Sequence, residues 1–147
     1  MKNLALSFCI VGLALLVSGC ASVPMAAKDA DAAAKSFRVP ADKSRVYIYR
    51  NETMGAAVKI PVTLDGKLVG STAKNTYFAL DVNPGTHEVS CIAETGGKVT
   101  VDVKPGEAAY VWQEMKMGMW AASCAMHVVD EQQGQKAVSE CTLAASE

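Results

Sequence analysis

The chain has 147 residues, with 14 Lys and Arg against 15 Asp and Glu, half of it apolar and five cysteines. That is room for one domain, not two. A formal charge of -1 leaves no electrostatic footprint for nucleic acid, and no polybasic stretch marks a lipid-headgroup reader.

Residues 1–19 read as a secretory signal. Lys2 supplies the positive start, and residues 4–17 form an apolar run ending in small residues. At 14 residues that run is too short to cross a bilayer, which takes about 20. It stops at Val17-Ser18-Gly19-Cys20, and this segment resembles a bacterial lipobox. The resemblance implies a diacylglyceryl group on Cys20, cleavage after Gly19 and acylation of the new amino terminus. Ala21 in place of Asp points toward the outer membrane. Two or three acyl chains anchor stably where one holds marginally.

Residues 20–43 are rich in Ala, Lys, Asp and Ser, punctuated by Pro24 and Pro40, a composition that cannot bury a core and reads as a lipid-anchored tether. Asp31 stands four residues before Lys35, which gives a short helix over about 25–37 local support; a plain spacer is the alternative.

From residue 44 the pattern changes to short β-branched and aromatic runs separated by turns, the signature of an all-β sandwich over 44–143. In 44–50, Val46 and Ile48 alternate with Tyr47 and Tyr49. Residues 58–64 run into Asp65-Gly66, a strong hairpin signal, and 67–70 return. Residues 75–82 place Phe78, Leu80 and Val82 on one face; Asn83-Pro84-Gly85 then turns the chain. Runs at 86–94 and 98–104 are followed by the turn Pro105-Gly106, and by two longer runs, 107–116 and 119–129, with a bend at Gly118. The expectation is about eight short antiparallel strands. Ala137, Val138 and Cys141 suit one face of a short C-terminal helix within 130–143.

Five segments together carry a family resemblance: Val46-Tyr47-Ile48-Tyr49-Arg50, Leu64-Asp65-Gly66-Lys67-Leu68-Val69-Gly70, Thr76-Tyr77-Phe78, Pro84-Gly85-Thr86-His87 and Pro105-Gly106-Glu107. They resemble the lipoprotein family called domain of unknown function 2846, and the layout is similar to PEGA-type β-sandwich modules. The resemblance spans roughly residues 25–143. It implies a small sandwich on a lipid anchor in the periplasm and brings no catalytic residues.

Three groups of side chains are candidates for chemistry. In an oxidising compartment Cys91, Cys124 and Cys141 allow one bridge and one leftover thiol. A bridge between Cys124 and Cys141 would pin the closing segment to the sandwich, with Cys91 a small buried hydrophobe beside Val89. Met115, Met117 and Met119 alternate on one strand face, with His127 on the next run, and thioether and imidazole are ligands that select copper(I). The same parity also reads as a core-facing stripe, for which methionine is a common filler. The opposite parity presents Tyr110 and Trp112, with Trp120 beyond; this is either a docking face for protein or glycan, or a second buried face.

No G-x-S-x-G, H-E-x-x-H or Gly-rich phosphate loop occurs, so the sequence assigns no nucleophile or base, and an enzyme is not expected. The sequence therefore reads as a periplasm-facing, lipid-anchored binding or structural module of the cell envelope. It expects no cofactor beyond the lipid on Cys20, an envelope protein or glycan as partner, and no nucleic acid. The alternative is a periplasmic copper(I)-binding lipoprotein using the Met-rich strand.

Overall fold

The computed structural model describes residues 21–147; the expected signal, 1–19, and the expected lipid site, Cys20, lie outside the described residues. In chain order the elements are α1 (Lys28–Ala34), β1 (Ser44–Arg50), β2 (Ile60–Leu64), β3 (Lys67–Thr72), β4 (Thr76–Val82), β5 (Gly85–Cys91), β6 (Lys98–Val103), β7 (Ala108–Met117), β8 (Ala122–Val129), α2 (Glu131–Ser139) and β9 (Thr142–Leu143). The strands form two sheets, ordered β8-β7-β1-β4-β9 and β3-β2-β5-β6, packed as a sandwich.

The turns fall where the sequence puts them. Asp65 and Gly66 take the left-handed conformation, with φ of 51° and 77°, that a two-residue hairpin needs between β2 and β3. Most neighbours are antiparallel as expected, but β1 pairs in parallel with β7, and β4 with β9. Parallel partners need a crossover, here the whole second sheet between β1 and β7, and alternation within a strand carries no trace of it.

The larger difference lies outside the sandwich. Val46, Ile48, Val62, Phe78, Val89, Val101 and Val111 fill the space between the sheets. Tyr47, Tyr49, Tyr77 and Tyr110 point the other way from the five-stranded sheet, and they too are buried, beneath α1 and α2 with Ala34, Ala137 and Val138. The fold is thus a sandwich with a third, helical layer. Each phenol needs a partner once buried. The Tyr47 hydroxyl donates to the Ala34 carbonyl at 2.7 Å, and the Tyr77 hydroxyl to Asp31 Oδ1 at 3.0 Å.

Those bonds change the reading of residues 21–43. The segment is a docked part of the domain and not a free tether. Asp31 Oδ1 also accepts the Leu143 amide at 2.8 Å, while Asp31 Oδ2 holds Lys35 at 2.9 Å and Lys35 Nζ donates to the Cys141 carbonyl at 2.7 Å. The helix with local support from Asp31 and Lys35 therefore exists, shorter than 25–37 at both ends. The C-terminal helix is present as α2, started by Asp130, whose carboxylate accepts the Gln133 amide at 2.8 Å. Gly134 lets α2 lie against the Tyr110 ring, since a Cβ there would sit 2.2 Å from Tyr110 Cγ.

Candidate docking site

β7 organises the residues that the sequence singles out. Val111, Gln113 and Met115 face the sandwich interior and are buried, so the inward stripe is core as far as Met115. Beyond Trp112 the strand outruns β1 and continues paired with β8 alone, and Met117 and Met119 are 77% and 81% exposed. His127 pairs across the ladder with Trp112, whereas Met115 pairs with Cys124, so His127 and Met115 lie on opposite faces of the sheet. The four candidate copper(I) ligands Met115, Met117, Met119 and His127 are not brought together. His127 Nε2 instead meets Glu114 Oε2 at 2.8 Å.

Of the two readings of the Tyr110 and Trp112 stripe, a docking face or a second buried face, the structure favours the buried one. Tyr110 is 2% exposed and stacks on Tyr47, with ring centroids 5.0 Å apart and planes 5° from parallel. Trp112, at the margin of α2, is half-buried, donates from its indole to Glu52 at 3.2 Å and lies 5.0 Å from the His127 ring. The helical layer covers the face that alternation alone leaves open.

Among the described residues a disulfide joins Cys91 to Cys124, with Cα atoms 6.5 Å apart, and Cys141 is the free cysteine. This overturns the expected bridge between Cys124 and Cys141. Cys124 faces the space between the sheets, whereas Cys141 lies in the tyrosine layer, so the five-stranded sheet separates them. Cys91 ends β5 on the inward face of the other sheet, and the bridge ties the two sheets together. The inward parity of Cys91 with Val89 and of Cys124 with Met126 was the available signal for this pairing. Burial pushes the Cys141 thiol up to about 12.

At the end of the sandwich where β1 and β7 terminate, two carboxylates shape the loops. Arg50 is fully buried and donates to the carbonyls of Val58, Met54 and Gly55 at 2.8, 3.0 and 2.7 Å, which folds residues 51–59 around its guanidinium. Glu52 faces Arg50 at 3.6 Å and accepts the Met115 amide at 2.6 Å, securing this loop to β7. Gly55 is left-handed at φ 66° and abuts Met115, whose methyl a Cβ would meet at 2.5 Å.

Glu94 governs the hairpin between β7 and β8. Its carboxylate accepts the backbone amides of Met119 at 3.1 Å and Trp120 at 2.9 Å, and also that of Ala121. The Trp120 and Ala121 amides hold its carboxyl below the usual range. Further backbone bonds, Glu94 to the Ala122 carbonyl at 3.0 Å and Cys124 to the Thr95 carbonyl at 2.9 Å, fasten residues 92–97 along β8 beside the disulfide. Gly118 is required where it stands, because a Cβ would come within 2.3 Å of the Ala121 carbonyl and 2.6 Å of Glu94 Oε2. The outcome is a fixed hairpin tip presenting Met117, Met119 and Trp120, the last 89% exposed. Sequence reasoning identified the bend at Gly118 but not the role of Glu94, which carries no local signal because its partners lie about 25 residues away.

Chemically, this end offers apolar surface held by satisfied carboxylates. Among the described residues no group of three or more His, Cys, Asp or Glu side chains is placed to hold a metal ion. No helix among them is long and apolar enough to cross a membrane.

Residues 40–126 match the family model described as "Protein of unknown function (DUF2846)". The chain is also similar to a protein of Haemophilus influenzae described as "Uncharacterized protein", at 32% identity over 99% of this chain and 88% of the relative.

Proposed function

The chain belongs to the family described as protein of unknown function DUF2846, and from that premise we propose that it is a lipid-anchored, periplasm-facing module of the bacterial envelope that works by docking. The observation that carries the proposal is the sequence from Lys2 through the largely apolar 14-residue run to Val17-Ser18-Gly19-Cys20. Where residue 21 lies supports it. The Ala21 amide donates to the Ala56 carbonyl at 3.1 Å, at the surface of the loop that Arg50 folds. A diacylglyceryl-modified Cys20 would thus leave the domain at one end of the sandwich. The docked segment 21–43 would hold the body close to its membrane, as a long free tether would not.

The disulfide is consistent with an oxidising compartment. The mode of action read from the geometry is binding through surface, because the apolar tip is the most exposed feature of the end just described. Fractionation tests the anchor. Cys20→Ser is expected to move the protein from the membrane fraction to the soluble periplasmic fraction; a variant that stays wholly with the membrane would refute it.

A further inference from the structure

We propose that the hairpin tip of Met117, Met119 and Trp120 inserts into the interfacial zone of the lipid bilayer that holds the anchor, making a second membrane contact beside Cys20. This rests on the anchor reading above and adds the orientation of the domain.

The topology puts the tip and the anchor at one end. β1 and β7 run in parallel with Tyr49 level with Trp112, so Met117 lies five residues further on, about 17 Å beyond the last paired level. The same end carries Arg50, the loop 51–59 and, through the antiparallel pairing of Arg50 with Thr76, the turn before β4. Ala21 sits there, bonded to Ala56 and beside Ala73, Lys74 and Asn75. Residue 21, the first described, therefore lies at the end to which the tip points. Across the sheet, β7 and β9 stand three strands apart, on the order of 15 Å at about 4.8 Å per strand, and Ala21 lines one hollow with Thr142 at the start of β9, so residue 21 and the tip are two separate points on one base.

The chemistry of the base fits a lipid surface. Met54 and Ile92 are exposed on it with the tip, and Trp is a residue type that settles at the membrane interface. Its carboxylates are engaged: Glu94 by three tip amides, Glu52 by Arg50 and the Met115 amide, and Glu114 by Lys116 and His127. Lys59 and Lys74 come from separate stretches of sequence to the same end, which suits anionic headgroups and explains why no polybasic run announces them; Lys116, also there, is paired with Glu114 at 3.4 Å. Rigidity favours insertion, since a tip already fixed by Glu94 and the disulfide loses little freedom on entering the bilayer.

The test uses the mature, lipid-modified protein reconstituted into vesicles of phosphatidylethanolamine and phosphatidylglycerol, with and without brominated acyl chains. Labelled palmitate incorporation is measured on the same preparation, and Trp120→Phe supplies the background emission of Trp112. Labelled protein whose Trp120 emission shifts to the blue and is quenched severalfold by bromolipid supports insertion. Met117→Glu with Met119→Glu, two exposed positions that leave the core untouched, is expected to return Trp120 to a water-like, unquenched spectrum. Labelled wild-type protein with an unquenched Trp120 overturns the insertion proposal while leaving the anchor standing. Absence of label overturns the anchor and the proposal with it.

Discussion

Reducing the Cys91–Cys124 bridge isolates the contribution of a covalent tie between the sheets. The bridge spans 33 residues of sequence. In the chain-entropy model a closed loop of that length lowers the entropy of the unfolded chain by about 12 cal/mol/K, or about 3.7 kcal/mol at 25 °C. With a urea m-value of about 1–3 kcal/mol/M for a domain of this size, the unfolding midpoint of the reduced protein should fall by about 1–4 M. Comparing oxidised and reduced wild-type protein avoids the cavities that cysteine substitution would leave. Cys141→Ser should show the same oxidised-to-reduced difference, because that thiol lies on the far side of the five-stranded sheet. Equal midpoints for the two redox forms, or a difference that vanishes in Cys141→Ser, would refute the reasoning.

Three further outcomes are expected. Gly134→Ala should destabilise by about 1–3 kcal/mol in urea unfolding, although alanine is the better helix former by about 1 kcal/mol, because its Cβ collides with Tyr110; a stabilised variant would contradict the packing of α2. Cys141, buried and with its thiol pushed up to about 12, should resist iodoacetamide in the native protein and react in urea, read by mass spectrometry; rapid native labelling would contradict its position. His87 donates to Asp65 at 2.7 Å and to the Asn83 carbonyl at 2.7 Å when protonated; these bonds outweigh the opposing effect of its partial burial and raise its pKa above 6.5. The stability lost in His87→Gln should therefore be greatest below about pH 6.5 and shrink as pH rises through the raised value. The bond to His87 lowers Asp65 below 3.8, so its own contribution is present above that pH and fades only in stronger acid. A His87→Gln cost that grows toward alkaline pH would contradict the sign.

How far the sequence revealed this molecule depends on which signals are local. Turn chemistry is local, and Asp65-Gly66 and the bend at Gly118 fall where the residues put them. Alternation is local too, and it correctly separates Val46 and Ile48 from Tyr47 and Tyr49. It cannot say what covers the second face. The cover comes from α1, a short alanine-rich run, and from α2, whose face of Ala137 and Val138, continued by Cys141, is legible in the sequence without any sign of which sheet it covers. That single gap left Tyr110 open between a docking face and a buried one. It also hides the barrier between Cys124 and Cys141. The candidate site was legible only as a bend with methionines and a tryptophan, since its rigidity comes from Glu94, which is remote in sequence.

Lipid attachment at Cys20 is tested most directly by mass spectrometry of the amino-terminal peptide from the membrane-extracted protein. The expected chain begins at Cys20 and carries a diacylglyceryl thioether and an acylated amino group. A chain that begins elsewhere, or one that begins at Cys20 with a free thiol, would contradict it.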